Sequence, residues 1–197
     1  MELHCLRHGV TSGNAGGLYQ GARDSALTDD QLAAFSAVRF DLSRYDAVYC
    51  SPRERCRDTA RALGIKSTID EPRLAERHFG VFEGLPRAEC ERLFPVEFAM
   101  FQRFDADYQI PQGESRASNL QRVLGWLEEV ATHRRVLAIT HGGTIDFLYR
   151  MATSIPVHGG PIIFGASNAS VSSFEVRWPR IELIAYDVPV EKFACDF

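Results

Sequence analysis

The sequence predicts an α/β fold, a three-layer αβα sandwich around a mainly parallel sheet. Short apolar, β-rich segments alternate with amphipathic helical periods along the chain. Segments such as Val136 to Thr140 are nearly continuous in apolar residues, as strands covered on both faces are. The chain has 197 residues, 45% of them hydrophobic, which suits one domain spanning 1–197 with a sizeable core.

Glu2 to Leu6 reads as the first strand, followed by a polar, Gly-rich loop from Gly13 to Ser25. A helix opens at Leu27-Thr28, with Thr28 as N-cap and Asp29 and Asp30 favourable in the first turn. Asp46 to Cys50 is a second strand. Ser51-Pro52 is expected to start the next helix, with Ser51 as cap and Pro52 at the first helical position, and Gly64 ends it. Ser67 to Ile69 reads as a short strand. Pro86 to Phe104 is helical with a break near Pro95, so that 85–110 forms a helical insertion expected to cover the substrate. Its aromatics Phe94, Phe98, Phe101, Phe104 and Tyr108 mark either an apolar wall or the core face of a helix. Arg116 to Thr132 is amphipathic, Val136 to Thr140 a buried strand, and Gly143 to Ala152 a helix. Val171 to Val176 and Ile181 to Tyr186 form a closing hairpin about Trp178-Pro179-Arg180.

The net charge of −4 gives no general attraction to nucleic acid or to anionic membrane, so an anionic partner needs a local positive site. No apolar run has the length of a membrane span, and the N-terminus lacks a secretory pattern. Five widely spaced cysteines without a C-x-x-C pair point to reduced thiols and a cytoplasmic setting. Oligomeric state stays open, a homodimer included.

In a parallel sheet the site lies beyond the carboxyl ends of the strands. Arg7 and His8 follow strand one, and Gly9 beside them is expected to let the backbone approach a bound group. Arg53, Arg55 and Arg57 follow strand two at a helix start, a position that favours anions. His141, Gly142 and Gly143 follow Val136 to Thr140 at a turn into a helix. Glu76 lies in a loop among aromatics and glycines, a setting that suits a general acid. Any one of these segments alone reads as an ordinary polar loop or solvated charge. Together they fit a phosphate ester. Arginines bind the non-bridging oxygens, a neutral histidine attacks phosphorus, and a carboxylic acid protonates the departing oxygen. A metal site fits poorly, because Arg7 adjoins His8 and no carboxylate or thiolate cluster accompanies it. No cofactor is implied.

These residues resemble the histidine phosphatase superfamily, also called phosphoglycerate-mutase-like. R-H-G-x-T-x-x-N is matched by Arg7, His8, Gly9, Thr11 and Asn14. G-x-x-D-x-x-L-T is matched by Gly21, Asp24, Leu27 and Thr28, with Gln31 where the family usually has glycine. Ser51, Arg55, Cys56, Thr59 and Ala60 match a third motif, and Leu74, Glu76, Phe79, Gly80, Glu83 and Gly84 a fourth. Pro111 with Gly113 to Ser115, and His141 to Gly143, complete the ordered set. The resemblance implies His8 as the nucleophile that becomes phosphohistidine. Arg7, Asn14, Arg55, His141 and Gly142 would surround the phosphoryl group, and Glu76 would be the proton donor.

The resemblance also bears on what receives the phosphoryl group. The short chain, the H-G-G-T at 141–144, Pro111 to Ser115 and Gly165 to Ser170 are similar to the bacterial α-ribazole phosphatase and broad-range phosphatase branch. Glu76 to Gly80 and Gly84 to Glu89 are instead similar to mutase segments, in which Arg77 and Arg87 would grip a carboxylate or second phosphate. The intact site residues argue against a third reading, a binding protein on a decayed enzyme fold. A phosphatase acting on a small phosphorylated metabolite is the expectation, with mutase-type transfer the alternative.

Overall fold

The computed structural model describes residues 1–157, 160 and 165–196. Six strands form one sheet: β1 (Glu2–Arg7), β2 (Ala47–Cys50), β3 (Ile69–Asp70), β4 (Arg135–Thr140), β5 (Ser170–Arg177) and β6 (Arg180–Pro189). The spatial order is β3-β2-β4-β1-β5-β6. The β3-β2-β4-β1 part is parallel, with Leu3 opposite Val136 and Tyr49 opposite Ala138. The expected closing hairpin is present: β5 runs antiparallel to β1, and β6 antiparallel to β5.

The period-two alternation of strand side chains separates two cores. On one face Leu6, Leu137 and Ile139 pack under α2 (Asp29–Ser36), α3 (Glu54–Ala62) and α8 (Val190–Asp196), through Phe35, Cys56, Ala60 and Phe193. On the other, Leu3, Cys5, Val136 and Ala138 pack under α6 (Arg116–Val130) and α7 (Gly142–Ala152), through Trp126, Leu127, Ile145 and Leu148. Helices therefore cover both faces, as the apolar β1 and β4 segments predict.

Two α-helices escape sequence reading, the one-turn α1 (Ser12–Ala15) and the terminal α8, as do three short 3-10 turns at Leu42–Arg44, Pro72–Leu74 and Gly80–Phe82. One start is corrected. Helix α3 begins at Glu54, not at Ser51-Pro52, and Arg53 at its N-cap makes no side-chain cap bond. Asp24, from the preceding loop, caps it instead, accepting from the backbone N–H of Glu54 at 3.0 Å and of Arg55 at 3.4 Å. The Ser51 hydroxyl is engaged elsewhere, against His141. The expected Thr28 cap agrees, its side chain accepting from Gln31; Ser115 caps α6 by accepting from Ser118.

The 85–110 segment contains α4 (Arg87–Leu93) and α5 (Pro95–Phe101), broken at Phe94 where Pro95 begins the second helix. Phe82, Cys90, Phe98 and Ile110 form its own small core, joined by Tyr19, Phe94, Phe101 and Tyr108. Among the described residues no helix is long and apolar enough to cross a membrane.

Candidate active site

The carboxyl ends of β1, β2 and β4 deliver His8, Ser51 and His141 to one place. The rings of His8 and His141 lie 5.3 Å apart at 60°. His8 is only 3% exposed, and its backbone N–H donates to Thr140. Its Nδ1 lies 2.8 Å from the Gly9 carbonyl oxygen, which can only accept, so Nδ1 carries the proton and Nε2 the lone pair. Burial, with Arg55 and Arg7 close by, pushes the His8 imidazole down to about 3. The ring is therefore neutral at physiological pH.

His141 is wholly buried and held well below the ordinary histidine range by burial and by Arg55, His8, Arg53 and Arg7. Its Nε2 lies 2.7 Å from Ser51 Oγ and 3.5 Å from Cys56 Sγ. Ser51 Oγ also accepts from the Arg53 backbone N–H. His141 Nδ1 is buried and, among the described residues, without a partner.

Arg55 is 1% exposed. Its Nη1 donates to Asp24 Oδ1 at 2.7 Å and to the Arg23 carbonyl, and its Nη2 to the Gly21 carbonyl. The Gly21 and Asp24 motif thus has a physical role: it cradles the guanidinium. Arg7 donates to the Ala166 carbonyl. In both arginines Nε is buried and unpartnered. Arg57, by contrast, sits at the surface in ion pairs with Glu54 and Asp70, and Arg53 donates to the Ala22 carbonyl.

The loop after β1 is shaped by its own motif. Thr11 and Asn14 form a capping box on α1, with Asn14 Oδ1 accepting from the Thr11 backbone N–H and hydroxyl. Gly9 meets a packing need. A Cβ there would stand 2.7 Å from Gln31 Cγ and 2.8 Å from Phe35. Gln31 in turn accepts from the Val10 N–H, so the departure at this position supports the same loop.

Glu76 Oε1 accepts from the Arg77 backbone N–H at 2.9 Å. A Cβ on Gly143 would stand 2.6 Å from that oxygen, so the glycine permits the carboxylate to rest on the first turn of α7. Gly142 lies against the Arg7 guanidinium. The two other motif carboxylates are occupied: Glu83 accepts from the Ala22 and Phe79 N–H groups, and Glu114 pairs with Arg122.

Glu76 and Gly143 also border a cavity of about 300 Å³ beneath α4 and α5. Arg77 and Arg87 line it, and among the described residues neither forms an ion pair. Arg77 sits over Phe101 and Phe79, with burial pushing its guanidinium down to about 10, still charged at neutral pH. Arg87 sits over Phe98. The aromatics of this segment divide: Phe94 and Phe98 pack in its core, Phe104 faces the cavity, and Phe101 and Tyr108 do both.

Sequence reasoning missed Asn168. Its Nδ2 donates to the His8 carbonyl at 2.9 Å and lies 3.4 Å from Asn14 Oδ1, bridging the His8 loop to the residues before β5. The family-like Ser167-Asn168-Ala169-Ser170 was its only signal. Among the described residues no group of three or more histidine, cysteine or acidic side chains is placed to hold a metal ion.

The family model of the histidine phosphatase superfamily (branch 1) matches residues 3–187. The chain belongs to this family. This histidine phosphatase is 32% identical to a metal-independent phosphoserine phosphatase of Arabidopsis thaliana, over 89% of this chain and 76% of that protein. It is 33% identical to a glucosyl-3-phosphoglycerate phosphatase of Mycolicibacterium vanbaalenii, over 86% of this chain and 81% of that one. The α-ribazole phosphatase of Shigella flexneri shares its fold, with a TM-score of 0.80, 24% identity and 95% and 96% of the two chains covered. Relatives named phosphoglycerate mutases match at 27 to 29% identity, and a phosphoglycerate mutase-like protein 4 of Arabidopsis thaliana at 32% over 77% of this chain and 70% of that one.

Proposed function

We propose that this histidine phosphatase hydrolyses small phosphate monoesters through a phosphohistidine on His8, without a metal. One observation carries the reading. Among the described residues Arg7 Nε and Arg55 Nε are buried donors without partners, and with the unpartnered, buried Nδ1 of His141 they stand near a neutral His8 whose Nε2 carries the lone pair. Unsatisfied buried donors are costly unless an anion completes them. A phosphoryl group supplies that anion, with Asn14 and the Gly142 end of α7 at its edge.

The chemistry balances as follows. His8 Nε2 forms a bond to phosphorus as the ester P–O bond breaks, and the protonated Glu76 carboxyl gives its proton to the departing oxygen. Water then attacks the phosphohistidine, Glu76 takes the proton of that water, and the P–N bond breaks to free phosphate. The arginines and His141 neutralise charge that grows on the equatorial oxygens, the role a metal would otherwise fill.

Helices α4 and α5 cover the alcohol end of the substrate, and Arg77 and Arg87 offer cations to a second anionic group on it. That pair favours the alternative of mutase-type transfer to a phosphorylated sugar acid. Hydrolysis is preferred because relatives at 32 and 33% identity are named phosphatases and because 141–144 is H-G-G-T. The free, buried thiols of Cys5, Cys50, Cys56 and Cys90 fit a reducing cytoplasmic setting, while the Cys195 side chain lies outside the described residues. The test is a screen of phosphate esters for phosphate release, run beside a mutase assay with 3-phosphoglycerate and a bisphosphoglycerate primer. Release from alkyl esters is expected to dominate; isomerisation exceeding release would favour the mutase.

A further inference from the structure

The cavity beyond Glu76 ends on a second polar cluster that the phosphoryl chemistry does not use. Arg116 and Asn119 come from the first turn of α6, and Asp146 from α7. All three line the cavity. Asn119 is 1% and Asp146 2% exposed. Asp146 Oδ2 accepts from Arg116 Nη2 and Arg150 Nε, both at 2.9 Å. Among the described residues its Oδ1 accepts from nothing, and Asn119 Nδ2 and Arg116 Nε donate to nothing. One buried acceptor and two buried donors, on side chains that line a cavity bordered by Glu76, therefore stand unpartnered among the described residues.

The pattern selects the chemistry of the group that completes it. An ammonium would satisfy Asp146 but leave both donors unmet, and would face the Arg116 and Arg150 charges. A carboxylate would satisfy the donors but lie against Asp146 Oδ1. A hydroxyl both donates and accepts, so among these groups it alone matches both an unmet acceptor and unmet donors. The same cavity presents Phe101, Phe104 and Tyr108, flat apolar surfaces that suit the C–H faces of a polyol or sugar ring.

We propose that Arg116, Asn119 and Asp146 form a hydroxyl-recognising subsite, and that the substrate is the phosphate ester of a polyhydroxylated alcohol. This rests on the phosphatase reading only for the phosphoryl end. A site built to hydrogen-bond a substrate hydroxyl discriminates strongly against the analogue that lacks it, because its buried groups are then left unpaired.

The test reads binding without turnover. Short polyhydroxylated alkylphosphonates, which have no ester bond to cleave, are titrated calorimetrically into the full chain beside unsubstituted alkylphosphonates of the same length. The best polyhydroxylated probe is expected to bind at least about tenfold more tightly than its plain counterpart. Asn119→Ala and Asp146→Asn are expected to cut that ratio to within about threefold of unity. If Asp146→Asn fails to fold, Asn119→Ala decides alone. Equal affinity of the two probes, no binding of either, or a ratio unchanged in Asn119→Ala overturns the subsite. Phosphate release from p-nitrophenyl phosphate is measured in parallel. Hydroxyl preference without any release would overturn the phosphatase reading and leave the subsite standing, and release without preference would do the reverse.

Discussion

Asp24 Oδ1 accepts from Arg55 Nη1 at 2.7 Å, joining a loop carboxylate to a guanidinium that is buried at the site. Arg55 thus has its position set from outside its own helix. A hydrogen bond between charged groups is worth about 1.5–3 kcal/mol. Asp24→Asn is therefore expected to lower kcat/KM by roughly 10- to 100-fold and to weaken inhibition by vanadate or phosphate in step. Unchanged vanadate inhibition in a well-folded variant would show that the cradle does not position Arg55.

The neutral His8 has a consequence for stability. Its imidazole sits at about 3 in the folded protein against an ordinary 6.5, and that of His141 is lowered too. Below 6.5 the unfolded chain takes up protons that the folded one refuses. The stabilisation is complete above pH 6.5 and shrinks as pH falls toward 3, by at most about 1.4 kcal/mol per pH unit for each histidine. In denaturant unfolding at neutral and mildly acidic pH, His8→Gln is expected to lose about 1 kcal/mol less than wild type over the first pH unit below that value. Equal losses would contradict a buried neutral His8.

Glu76 is expected to matter in proportion to how poor the leaving group is. An alkoxide needs a proton to depart and a nitrophenolate does not. Glu76→Gln should slow an alkyl ester by roughly 10²- to 10⁴-fold and p-nitrophenyl phosphate far less. Glu83→Gln should slow both esters alike, because Glu83 accepts from the backbone N–H groups of Ala22 and Phe79 rather than facing substrate. Selective slowing of the alkyl ester by Glu83→Gln, with equal slowing by Glu76→Gln, would move the acid to Glu83.

Activity is expected to survive exhaustive chelation, since Arg7, Arg55 and His141 supply the positive charge and donors. Loss of turnover on EDTA treatment, restored by a divalent ion, would place the enzyme in another chemical class.

What the sequence made legible follows the distance over which each residue acts. Arg7, His8 and His141 are readable because short apolar strands deliver them and an α/β sheet gathers its site at those strand ends. Thr28 is readable as a cap because a cap bond spans only a few residues. Ser51 looked like the same kind of cap, but its hydroxyl is taken by His141, ninety positions away. Asn168 is more remote still from His8 in sequence, and no local pattern points to the contact. The cluster of Arg116, Asn119 and Asp146 spans two helices, and each residue alone reads as an ordinary polar position. Glycine shows the same limit: Gly9 was legible as a close approach, but not that α2 is what approaches.

The central claim is that His8 carries the phosphoryl group. Rapid quenching during turnover of a labelled phosphate ester, followed by peptide mapping, tests it most directly. The account predicts acid-labile, base-stable label on the peptide containing His8, absent in a folded and inactive His8→Ala protein. Full turnover by His8→Ala, or label on another residue in the wild-type enzyme, would contradict it.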